Sequence, residues 1–234
     1  MIFRRSTAAT AFCVVVLGSL CWATRVPARP ALPEDTYKLE KVAAPPSADI
    51  PIDIRNVIAS DAMRVSGPNG PLCEIWLRKQ LPVAATPSTE LGVTFGQIQE
   101  GTLLGAMHIA IQAADYREQK IKPGFYTLRY ALDPVDGNHA GVAPQRDFAL
   151  LSPVANDSDP ATISRDELLK RSAVSTGTKH PSVWSLWPAD DPGANATIHF
   201  QSDLQLWMLT FRVPLAGKPP LPMGMVVVGH APEA

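Results

Sequence analysis

The stretch "KPGFYTLRYAL", Lys122 to Leu132, constrains the fold more than any other part of the chain. A Pro-Gly turn opens it, and strict alternation follows. Tyr126, Leu128, Tyr130 and Leu132 fall on one face, Thr127 and Arg129 on the other. Successive side chains of a strand point to opposite faces, so a period of two marks a strand with one face on a core.

The same signal recurs. "AMRVSGPNGPLCEIWLRKQL" reads as two strands around the turn cluster Gly67-Pro68-Asn69-Gly70, with Cys73, Ile75 and Leu77 on one face and Glu74, Trp76 and Arg78 on the other. In "GTLLGAMHIAIQ" the expected inward set is Leu103, Met107, Ile109 and Ile111, with Leu104 out of pattern. "DFALLSP" reads as a short buried strand. "ATIHFQ" and "LQLWMLTFRVPL" read as a hairpin turning at Ser202-Asp203, and "MGMVVVG" as the last strand. Many short strands separated by turns predict a mostly β fold, an antiparallel β-sandwich of Ig-like or prealbumin-like type. One accessory helix is expected near 165–172, where Ser164 caps and Glu167 stands three residues on. Trp184 and Trp187 are expected in a covering loop after it.

The ends set the organisation. Arg4 and Arg5 followed by the apolar run Ala11 to Leu20 read as a signal peptide over 1–28, cleaved after Ala23 or Ala28. The run is shorter than the ~20 apolar residues of a membrane-crossing helix, so no membrane span is expected after cleavage. The protein is therefore expected in a bacterial periplasm or outside the cell. Residues 29–51 are rich in proline and alanine and read as a linker or strap; the sandwich domain is expected over 52–234.

Without the leader, 18 basic residues face 22 acidic ones, because Arg4, Arg5 and Arg25 leave the 21 basic residues of the whole chain. A mildly acidic chain lacks a nucleic-acid footprint. Cys73 then stands alone, so neither a disulfide nor a cysteine zinc site is available to it.

The densest polar chemistry lies in "DPVDGNHAGVAPQRDF". Asp133, Asp136 and Asn138 are oxygen donors of the kind calcium takes, and Asp157 and Asp159, beside Asn156 in "ANDSDPA", could share the ion. Their order departs from the EF-hand pattern, and turn formation explains the same residues. No cofactor is expected beyond that possible calcium. His139 with Asp136, joined by His108 or His199, would be the catalytic group of a metal-dependent or hydrolytic enzyme if their strands met. Arg146 is expected to brace the loop, by an ion pair with Asp147 or by bonds to backbone carbonyls.

"KPGFYTLRYALDPVDGNHAGVAPQRDFALLSP" resembles a segment of uncharacterised secreted bacterial β-sandwich proteins, acidobacteria-like in style, a resemblance that carries no activity with it. "KPGFYTLRY" is also similar to strand openings in extracellular Ig-like and prealbumin-like sandwiches, which implies the fold alone. The leading expectation is an exported, non-enzymatic binding or interaction module for a protein or carbohydrate partner. Its contact surfaces are expected at Asp133, Asp136, Asn138, His139 and Arg146 and at Trp184 and Trp187. The alternatives are the enzyme above and a structural subunit of a cell-envelope assembly. The subunit would leave the outward face of the 204–214 strand apolar and uncovered.

Overall fold

A computed structural model describes residues 36–134 and 145–231. In chain order the elements are β1 (Lys38–Val42), α1 (Ile52–Val57), β2 (Ala62–Gly67), β3 (Gly70–Leu77), β4 (Leu103–Ile109), β5 (Ala113–Ala114), β6 (Lys120–Ile121), β7 (Gly124–Leu132), β8 (Asp147–Pro153), α2 (Arg165–Thr176), β9 (Trp184–Trp187), β10 (Thr197–Gln201), β11 (Leu206–Leu215) and β12 (Lys218–Val228). Ten strands make one sheet in the order β1-β2-β3-β4-β7-β8-β9-β12-β11-β10, and β5 with β6 makes a small separate ribbon. Every ladder is antiparallel.

The long sheet folds over on itself, so both layers of an antiparallel β-sandwich come from one sheet. The interior is filled by alternate residues of both layers: Cys73 and Ile75, Tyr126, Leu128 and Tyr130 from one, Trp207, Leu209, Phe211, Met223 and Met225 from the other. Each isoleucine, leucine, phenylalanine and methionine among them contributes about 1.5–3 kcal/mol by leaving water. β9 is the corner, pairing two residues with β8 and two with β12. A parallel bridge between Leu81 and Leu215 ties the layers at one end.

Two covers bury parts of the outer face. α2 lays Leu168 on Phe148, Leu150, Leu206, Met208 and Val226. Ser164 Oγ accepts the Glu167 amide, as the capping pattern requires, and Gly177 in the left-handed region (φ 67°) closes the helix. α1 sits on Trp76, Leu103 and Ala106 through Ile54.

Several local expectations change. A register shift between Leu103 and Gly105 sends Leu104 inward and leaves Leu103 under α1, which reverses the two assignments made from alternation. Ile111 lies past the end of β4 and is partly exposed. Lys38–Val42, inside the expected strap, is an edge strand on β2, and Trp76 Nε1 donates to Ala44 O at 2.7 Å, fastening the next stretch to the same domain. Residues 1–35, which include the expected signal peptide and the first part of the expected strap, lie outside the described residues.

Trp184 and Trp187 form part of β9, not a loop, and Trp184 is in the interior. The outward side chains of β11 include Leu206 and Met208, both buried in the outer cluster that also holds Leu168, so of the apolar face expected of an envelope subunit only Leu204, just before β11, is exposed.

Candidate functional site

Asp136, Asn138 and His139 lie outside the described residues. The described residues on either side of them are firmly held. Arg146 donates to Asp133 O (3.2 and 3.1 Å) and Leu91 O (2.9 Å), and its ion pair is with Glu90, not Asp147. Asp147 is fully buried and accepts from the Tyr130 hydroxyl (2.6 Å) and the amides of Thr94 (2.8 Å) and Phe95 (3.0 Å). Burial, and then the Asp147 charge, push the Tyr130 phenol far above its usual range. Arg146 and Asp147 thus fix the 90–95 turn and the loop base to β7 by separate routes.

The second oxygen-rich turn is structural. Asp157 is fully buried and holds Arg129 in a bidentate pair, Nε at 2.6 Å and Nη2 at 2.8 Å. It also takes the Thr127 hydroxyl at 2.5 Å and Arg171 Nη1 at 2.7 Å. Burial alone would raise its carboxyl, but the bonds and charge of Arg129 outweigh that and hold it below the ordinary carboxylate range. The remaining Arg129 donors go to the carbonyls of Gly101, Ala161 and Asp159, so all five N–H groups are used. The Asp159 carboxylate accepts from the Ala161 amide. Asp133, Asp157 and Asp159 therefore do not converge, and no group of three His, Cys, Asp or Glu suited to a metal occurs among the described residues. Alternation puts Arg129 on the outward face of its strand, yet it is fully buried there. A charged side chain inside so apolar a strand, with an aspartate-rich turn downstream, was the signal for a buried pair.

His108 and His199 lie apart. His108, on β4, stacks on Phe125 with centroids 4.4 Å apart and faces Glu74 Oε2 at 3.3 Å, while Glu74 also binds Arg64. His199 is exposed on β10, whose only ladder partner among the described residues is β11, while β4 lies between β3 and β7. These two do not form a shared site. Cys73 is buried, and desolvation, followed by the Glu74 charge, pushes its thiol up to about 12. Such a thiol is no nucleophile. Trp187 is half-buried and gives its Nε1 to Ser185 Oγ at 3.0 Å.

What the fold does assemble is a seam. β1 and β10 end the ten-stranded sheet, and Cα atoms of the two come within 8 Å of each other with no ladder between them. At one end Tyr37 closes the gap, packed edge-on against Trp207 with centroids 5.3 Å apart. Toward the other end a groove of about 600 Å³ opens between Leu39, Met63, Ile198 and Phe211. Its rim carries two ion pairs, Lys41 with Asp61 at 3.1 Å and Arg212 Nε with Asp191 at 2.5 Å. A polar hollow of about 510 Å³ that includes Asp190, His199 and Gln201 adjoins it across Thr197. No sequence window could show this seam, because it joins the first strand of the sheet to the tenth. No helix among the described residues is long and apolar enough to cross a membrane. Compared with protein-family models, with characterised proteins and with solved structures, the chain matches none.

Proposed function

We propose that this protein is an exported, non-enzymatic binding module whose ligand surface is the seam between β1 and β10, and that the ligand is an extended polypeptide segment. One observation carries the reading: two sheet edges, each with its outer side unpaired among the described residues, face each other across an apolar groove. A strand edge offers backbone N–H and C=O groups, and an added peptide strand satisfies them while its alternate side chains enter the groove. The rim charges are matched in pairs, which suits a neutral segment and gives no attraction to a polyanion. Lys38, Glu40 and Lys41 on the short β1 guard the edge against indiscriminate pairing. Export rests on the basic pair and apolar run of the leader.

The polar hollow beside the seam favours carbohydrate as the second reading, since His199, Gln201 and Asp190 supply the donors and acceptors that hydroxyl groups need. The test is panning of a random peptide library against the full chain and against Ala194→Trp, which fills the groove mouth from an exposed position. Enriched peptides with alternate apolar residues should bind the parent and lose at least tenfold in the variant. Retained binding in Ala194→Trp, or no enrichment, overturns the peptide reading. Binding of soluble oligosaccharides abolished by His199→Ala would install the second.

A further inference from the structure

A second, separate cavity of about 170 Å³ lies between α2, β8 and the ribbon turn that joins β5 to β6. Phe148, Leu150, Leu169 and Val183 give it apolar walls, and the guanidinium groups of Arg117 and Arg165 line it as well. Arg165 is held in place by Glu100 (Nη1 to Oε1, 2.5 Å) and by the Leu132 carbonyl (2.8 Å). Arg117 stands on a turn fixed from beneath by Asp115, whose buried carboxylate accepts the amides of Arg117 (2.9 Å), Gln119 (2.8 Å) and Val183 (2.8 Å). The Arg117 side chain, though, reaches Asp133 Oδ1 only at 3.9 Å, beyond hydrogen-bond distance. Among the described residues that line the cavity, Asp133 supplies the one carboxylate, and of the two guanidinium groups Arg165 is already paired with Glu100.

We propose that this cavity is a binding site for a small monocarboxylate carrying a flat or branched apolar group, of the size of benzoate. The apolar body would lie against Phe148 and Leu150, and the carboxylate would pair with Arg117, whose planar fork suits two oxygens at once. At about 170 Å³ the space is below the roughly 300–1,000 Å³ of sites for drug-sized ligands, so a single ring or a short branched acyl chain is the limit. An inorganic anion would leave the apolar walls unused, and a neutral ring would leave Arg117 with its long contact to Asp133 alone. The site shares no lining residue with the seam and does not depend on what the seam binds.

The test titrates sodium benzoate, and separately benzyl alcohol, into the full ¹⁵N-labelled chain and follows backbone amide shifts. Benzoate should give saturable shifts centred on Leu150, Leu169 and Val183, and benzyl alcohol should bind at least tenfold more weakly. Arg117→Gln should weaken benzoate at least tenfold without changing the melting temperature. Leu169→Trp, which fills the cavity, should abolish the shifts. Equal binding of the alcohol, unchanged affinity in Arg117→Gln, or no saturable shift with the parent chain overturns the proposal. The comparison of benzoate with benzyl alcohol uses the parent chain alone, so it stands whether or not either variant folds.

Discussion

Arg129 and Asp157 meet as a bidentate ion pair with neither side chain reaching solvent. Removing two charges from water is costly, and the pair is tolerated because every donor of Arg129 has an acceptor. Three of those acceptors are carbonyls, of Gly101, Ala161 and Asp159, so the pair also fixes the irregular chain between β8 and α2 on the sheet. Arg171 extends the tie to α2.

Breaking this pair on one side should be far worse than removing it whole. Asp157→Ala leaves a buried guanidinium without its counter-charge and should destabilise by about 3–5 kcal/mol. The double variant Arg129→Met, Asp157→Leu should recover most of that loss. Urea unfolding of the three proteins followed by tryptophan fluorescence measures both, and a double variant no more stable than the single would refute the account.

The same carboxylate gives a sign to the acid behaviour. An unfolded aspartate titrates near ~3.9, and Asp157 in the fold titrates lower, so the unfolded chain binds more protons between the two values. Its contribution is therefore complete at neutral pH and is lost as the pH falls below about 4 and through the folded value. In Asp157→Asn, melting temperature against pH should be flatter in that acid window than in the parent.

Gly67 touches the other end of the molecule's logic. A Cβ placed there would stand 2.5 Å from Tyr37 Cε1, and Tyr37 is what closes the seam against Trp207. Gly67→Ala should expel the ring, at a cost of about 1–3 kcal/mol for the overpacking. Hydrogen exchange should then speed up in Lys38–Val42 and leave β7 and β8 unchanged.

Cys73 offers a check on the interior. With its thiol pushed up to about 12 and no solvent exposure, it should resist iodoacetamide at mildly alkaline pH for as long as the protein stays folded. Denaturant should make it react at the rate of an ordinary thiol. Rapid labelling of the native chain would mean that β3 opens to solvent.

Alternation in Tyr126, Leu128 and Tyr130 read β7 correctly, because a strand with one face on a core writes that face into its own sequence. The hairpin at Gly67–Gly70 and the cap at Ser164 were legible for the same local reason. Leu103 and Leu104 were not, since a bulge adds a residue that period two cannot anticipate. α1 is six residues with one buried side chain, too little for a helical period to emerge. Arg129 shows a further limit: whether an outward face meets water depends on what later covers it, here the turn carrying Asp157. The seam and the Arg117 cavity each join residues far apart in the chain, so alternation could supply their pieces and not their meeting.

The corner strand β9 has one more consequence. Each half of the sheet is stitched to it by only two paired residues, whereas β11 and β12 run alongside each other for most of their length. Opposed forces applied to the two halves would load the contacts of Trp184 and Leu186 more than any long ladder. Under mechanical extension the molecule should part there first, shedding β10, β11 and β12 as one intact flap.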